Sequence, residues 1–392
     1  MKAIRRVGIL MALAAFLPAC VERYYPEDAD LFTGMLVVNA LLSNGSGTQV
    51  INLSRSDGLV FPEYMPEPGA AVQVENEEGD QIGFTDSGDG DYLADLPEDF
   101  LQEGGSYRLL MITSDGKRYE SEFTTLQPAS NIDSVYYRLE TVPGDEPGTT
   151  LEGIRFYLDF HVDSGSGRFL MWDLTETYEF HNPPYEGFIY DTDRVLKPLP
   201  DSMSDRQCWI TLHIPEIFTQ ETGNLTAGRY SMKPLHFVSN QTQRLRHGYS
   251  LLVRQLTLDE AAFRYWDDLK KNVQEAGALF DTQPSITPGN ICSCDDPDER
   301  VLGFFTVSAV SEKRIFVSDL EGLDVPDLLF CFPTFEFPRL SYFRLRDLPI
   351  FLSRATWPET GEIITGETDR KCLDCRLYRG SSGEPPDFWP EG

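Results

Sequence analysis

Alternation of apolar and polar residues, rather than helical spacing, organises most of this chain. Seven short segments, at residues 35–42, 49–53, 71–75, 81–85, 92–96, 107–113 and 118–125, carry a strand pattern. In Ala71-Val72-Gln73-Val74-Glu75 the alternation is clean and puts Val72 and Val74 on one face. Glu78-Gly79, Ser87-Gly88-Asp89-Gly90, Gly104-Gly105 and Asp115-Gly116 divide these segments. Short strands separated by Gly and Asp turns predict an antiparallel sandwich. Gln127-Pro128-Ala129 marks a domain boundary, after which strands are predicted at 132–140, 154–162, 169–175, 208–214, 230–238, 249–256, 301–307 and 314–317. Ile154, Phe156, Leu158 and Phe160 share one face of the second of these. Prolines 183, 184, 198 and 200 flank residues 181–207, which read as a long loop.

One helix interrupts the β pattern. Thr257 and Glu260 have capping-box spacing, and Leu258, Ala262, Tyr265, Trp266 and Leu269 recur at helical spacing. A helix near 258–276 is expected, laid across a sheet, with Gly277 closing its end. The predicted fold is therefore mainly β: an N-terminal antiparallel β-sandwich over 33–127, then a larger disulfide-bearing β-rich domain over 128–392 with one conspicuous helix.

The start of the chain adds an address. Lys2, Arg5 and Arg6 precede an apolar run from Val7 to Leu17, followed by Pro18-Ala19-Cys20. Eleven apolar residues are too few to cross a bilayer but suit a secretory signal peptide. Cys20 after a small residue resembles the bacterial lipobox, which implies lipidation of Cys20, a signal peptide over 1–19 and a flexible acidic tether over 20–32. With 63 acidic and 33 basic residues the net charge is −30, a surface that repels nucleic acid. Apart from Cys20, the six cysteines Cys208, Cys292, Cys294, Cys331, Cys372 and Cys375 form an even set in an exported chain, which predicts three C-terminal disulfides. Zinc is the competing use; Cys372-x-x-Cys375 has suitable spacing, whereas Cys292-x-Cys294 is too tight.

Two resemblances sharpen the picture. Residues 68–74, Gly79, Gly90-Asp91-Tyr92, Gly105-x-Tyr107 and Asp115-Gly116-Lys117-x-Tyr119 are similar to a transthyretin-like or carboxypeptidase-regulatory-like sandwich. Across the mature chain, Leu53-Ser54-Arg55-Ser56, Phe263-Arg264-Tyr265-Trp266, Gly289-Asn290-Ile291, the 301–308 segment, Cys372-x-x-Cys375-Arg376 and Pro386-Asp387-Phe388-Trp389 resemble the domain of unknown function 4249 lipoproteins. That resemblance implies a lipoprotein of the Gram-negative outer membrane, anchored through its N-terminal lipid and associated with a TonB-dependent receptor. It carries no catalytic residues over to this chain.

Enzymatic chemistry finds little footing in the sequence. The histidines (161, 181, 213, 236 and 247) make no H-x-x-x-H or H-E-x-x-H pattern, and neither a P-loop nor a nucleophile elbow occurs. Asp86, Asp89 and Asp91 place hard oxygens in one turn, but without the bidentate glutamate of a calcium loop they read as a solvated hairpin. No metal, cofactor or catalytic residue is assigned. The expected role is a binding or accessory subunit of a TonB-dependent uptake receptor, with a surface hydrolase of glycan or peptide, or a structural adhesion lipoprotein, as alternatives.

Overall fold

The computed structural model describes residues 33–390 except 46, 59–62, 145, 164–166, 224–227, 276–286, 319, 327–330, 332–333, 335–339 and 357–360. Cys20, the expected signal peptide and the tether lie outside the described residues. Nine strands come first: β1 (Leu36–Ser43), β2 (Gln49–Arg55), β3 (Met65–Pro66), β4 (Ala71–Asn76), β5 (Gln81–Asp86), β6 (Asp91–Ala94), β7 (Ser106–Ile112), β8 (Arg118–Ser121) and β9 (Thr124–Thr125). Eight more precede the helix: β10 (Asn131–Pro143), β11 (Thr150–Val162), β12 (Phe169–His181), β13 (Glu186–Tyr190), β14 (Leu196–Pro198), β15 (Gln207–Glu221), β16 (Gly228–Ser239) and β17 (Tyr249–Leu258). Helix α1 (Glu260–Glu275) is followed by β18 (Ile291–Ser293), β19 (Leu302–Val317), β20 (Ile350–Thr356), β21 (Ile363–Glu367) and β22 (Ser381–Ser382). The mainly β architecture, with one α-helix among the described residues, matches the expected fold class.

The first sandwich needs strands from far along the chain. One layer runs β18-β8-β7-β4-β5 and the other β5-β6-β2-β1-β19, with β5 passing from one to the other. Val72, Val74, Leu109 and Tyr119 of the first layer meet Leu36, Val38, Ile51 and Phe305 of the second in one buried core. β18 pairs antiparallel with β8, and β19 pairs parallel with β1. The division expected at residue 127 therefore marks where the first run of strands ends, not which residues complete the sandwich. Alternation reveals that a segment is a strand but not its partner.

β19 joins the two halves. Its first part, to Ser308, lies beside β1, and from Ala309 to Val317 it pairs antiparallel with β17. Because side chains alternate, Phe305, Val307 and Ala309 enter the first core while Val317, on the same face, enters the second. That second core lies between β10-β11-β16 and the β19-β17-β12-β15 part of the long sheet. There Ile154, Phe156, Leu158 and Phe160 are buried on the face their alternation predicts. On the opposite face of β19, Phe304 packs with Phe263 and Ala262 of α1. Both members of the Phe304-Phe305 pair are buried, since a sandwich covers one side of the strand and a helix the other.

Three sequence expectations need correction. The cap of α1 is Asp259, whose carboxylate accepts from Ala262 N at 2.8 Å and from Thr124 Oγ1 at 2.7 Å. Thr257 and Leu258 belong instead to β17, whose ladder outweighs the capping-box spacing. The 181–207 stretch is not a bare loop, because it supplies β13 and β14 to a small sheet of order β14-β13-β20-β21. Its prolines masked two short strands that pair with each other, and β13 finds its second partner only near residue 350. The expected third disulfide is likewise absent among the described residues. Cys208 bonds Cys375 and Cys331 bonds Cys372, whereas Cys292 and Cys294 are free exposed thiols. Two residues apart around extended β18, they sit near the outer limit of Cα separation for a bridge.

Candidate functional site

A groove of about 450 Å³ opens where α1 crosses β15 and β16. Local irregularity in both strands creates it. Opposite Asp173 of β12, strand β15 inserts Pro215, Glu216 and Ile217 between the pairs Trp172–Phe218 and Leu174–Ile214. On β16 a second bulge lies between the pairs Leu158–Lys233 and Phe160–Tyr230. There Met232 holds φ at 58°, a conformation unusual for a residue with a side chain, and its N–H donates to Asp159 Oδ1 at 2.8 Å. Bulges re-aim neighbouring side chains, and this pair aims Phe218 and Lys233 at the same space. The helix contributes Lys270 and Val273, and Val273 continues the apolar stripe of α1 past Leu269 to a position 65% exposed.

The charges in the groove are arranged unevenly. Lys233 Nζ donates to the Thr219 carbonyl and to Gln220 Oε1, both at 3.1 Å, and lies 5.2 Å from the Trp172 ring centroid. Lys270 Nζ donates to Thr219 Oγ1 at 3.3 Å, so the two ammonium groups converge on one residue. Burial, reinforced by Lys270, brings the Lys233 ammonium down to about 8. Asp267 is already taken by Lys271 at 3.0 Å and by the Thr219 hydroxyl at 2.9 Å. Glu216 on the groove wall accepts from His236 at 2.9 Å, and that bond holds its carboxyl below the usual range. Pro215, Ile217, Phe218, Pro234 and Val273 make the remaining surface apolar. Such a groove can take an apolar body and offer cations to an anionic end.

The residues singled out from the sequence lie elsewhere and hold structure together. The two disulfides pin the 370–377 segment to β15 and to Cys331. Asp205 lies near the sulfurs of Cys208 and Cys375, but those sulfurs are bonded to each other and are not thiolate ligands. In the acidic hairpin, Asp86 accepts from Gly88 N at 2.7 Å and Gly69 N at 2.6 Å, and Asp91 accepts from Asn52 at 2.6 Å. Those carboxylates serve the turn. Four histidines each meet a carboxylate, His161 with Asp133, His181 with Glu179, His213 with Asp173 and His236 with Glu216, and His247 stacks on His181.

The motif residues also close on one another. Asn290 exchanges two hydrogen bonds with the Phe305 backbone, at 2.8 and 2.9 Å, beside Gly289 and Gly303. Tyr265 packs on Phe304, Arg314 covers Phe388, and Trp389 lies against Trp209 and Phe316. Lys233, Lys270 and the bulges were not singled out from the sequence. The one local signal that could have found the groove is Val273, which extends the helical stripe one turn past Leu269.

Among the described residues no helix is long and apolar enough to cross a membrane. No curated protein matches the chain. Among solved structures, a crystal structure of trypsin-activated alpha-2-macroglobulin from Escherichia coli aligns at 10% identity with a TM-score of 0.19. That alignment covers 61% of this chain and 15% of that one, and the overlap is too poor to support an argument. A family model described as a domain of unknown function (DUF4249) matches residues 21–314, most of the chain, and the protein belongs to that family.

Proposed function

We propose that this protein is a lipid-anchored binding protein of the outer membrane, without catalytic activity of its own, that serves as an accessory subunit of a TonB-dependent uptake receptor. The observation that carries the binding role is the groove at α1, whose size suits a small molecule and whose walls are apolar with two converging ammonium groups. Support for the anchor comes from Cys20 behind its apolar run. Support for the receptor comes from the family to which the chain belongs and from the motifs that resemble its lipoprotein members. Tethering both partners to one membrane raises their effective concentration, so a modest interface suffices.

Capture from native membranes in mild detergent tests this reading, with an unrelated lipoprotein as the control bait. Enrichment of a receptor barrel over the control supports it. No enrichment, together with measurable hydrolysis of a glycan or peptide by the purified protein, contradicts it.

A further inference from the structure

We propose that the groove between α1, β15 and β16 binds a small molecule with an apolar body and one carboxylate, and that Lys233 and Lys270 together receive the carboxylate. This rests on the binding role proposed above and names the ligand class for that site. Three independent observations converge on it. First, Lys233 and Lys270 are held by a carbonyl, an amide and a hydroxyl, all neutral, and neither makes an ion pair among the described residues. Two adjoining ammonium groups without a direct ion pair, the nearby Asp267 being engaged by Lys271, are notable in a chain with 63 acidic and 33 basic residues. Second, bulges in both strands and the left-handed Met232 backbone bring Lys233 and Phe218 to the groove, opposite Lys270 of the helix. Local strain of that kind gathers where a ligand is gripped. Third, Val273 leaves an apolar side chain in water beside the ammonium groups. Covering it with the ligand's apolar body is favourable.

The electrostatics give the proposal a pH signature. The charged groups that act on Lys233 are Lys270 and Asp267 of α1; Glu216 of β15, engaged by His236 of β16, shares the groove wall, Asp159 of β11 is held by the Met232 N–H, and β12 presents the uncharged Trp172 ring. Burial lowers the Lys233 ammonium to about 8, and an arriving anion favours the protonated form. Ligand binding therefore takes up a proton near that pH, and affinity falls as the pH rises past it.

The test uses the full-length lipid-bearing protein in nanodiscs, with empty nanodiscs subtracted, and titrates octanoate, octanol, octyltrimethylammonium and acetate by calorimetry. Octanoate is expected to bind one to one, at least tenfold more tightly than the other three, and to weaken about tenfold between pH 7 and pH 9. Replacing both lysines by methionine, which keeps their apolar stems, should lower affinity at least tenfold. Val273→Asp, at an exposed position that does not threaten folding, should do the same. Equal binding of octanoate and octanol, equal binding of octanoate and acetate, or unchanged octanoate affinity in the lysine and Val273 variants would overturn the proposal. Capture of a receptor is scored separately, so either reading can fail while the other stands.

Discussion

At Glu176, a carboxylate only 4% exposed accepts the Arg244 guanidinium on both oxygens at 3.1 Å and the Tyr249 hydroxyl at 2.8 Å. Burial, and then the Glu176 charge, push the Tyr249 hydroxyl well above its ordinary value, so it stays protonated and keeps donating. Removing one partner of a buried pair leaves the other uncompensated. Glu176→Ala should therefore lose about 3–5 kcal/mol in denaturant unfolding, and Glu176→Gln less. A milder effect belongs to His213, an exposed side chain whose hydrogen bond to Asp173 at 3.1 Å raises its pKa against partial desolvation. A raised folded pKa gives stability that is present in full below the unfolded value of about 6.5 and is lost as pH rises through the folded value. The melting-temperature difference between wild type and His213→Ala should thus shrink from pH 6 to pH 8. A constant difference would assign the effect to packing alone.

At the scale of elements, β19 holds the two cores together, and Gly303 lets it approach β1. Its φ is +100°, and a Cβ there would lie deep inside contact distance of the Val38 carbonyl oxygen. Gly303→Ala should cost more than about 3 kcal/mol, and hydrogen exchange should accelerate in both sandwiches rather than one. The β18 segment makes a different prediction, because the thiols of Cys292 and of Cys294, just beyond the strand, remain unpaired. Thiol titration of the denatured, unreduced protein should find two reactive groups, at Cys292 and Cys294, while finding none would restore the third bridge. Much of this level was legible in the chain. β11 announced itself because one face is buried and the other is not, and alternation records that difference. β19 read as two short pieces because Ser311, Glu312 and Lys313 break its apolar run where one core hands over to the next. The cap of α1 was misplaced because Thr257 and Asp259 both suit the position, and only the ladder of β17 decides between them.

For the whole molecule, the family motifs prove to be seams. Asn290 stitches the β18 segment to β19, Tyr265 fastens the helix to it, and Phe388-Trp389 clamps the chain end over the long sheet. The groove lies away from these seams and was illegible in the sequence for a physical reason. Lys233 and Lys270 meet only because two bulges and a helix crossing bring them to Thr219, and neither feature leaves a local pattern. Reducing the two disulfides should destabilise the 370–377 segment and the edge of β15 by about 2–4 kcal/mol per bridge while leaving the first sandwich folded. The receptor association is tested most directly by chemical crosslinking in living cells, followed by identification of the crosslinked peptides. Crosslinks from the wild-type protein to an outer-membrane receptor barrel are expected, as is their loss when Cys20→Ala removes the anchor. Crosslinks absent from the wild type, or unchanged in Cys20→Ala, would contradict that association.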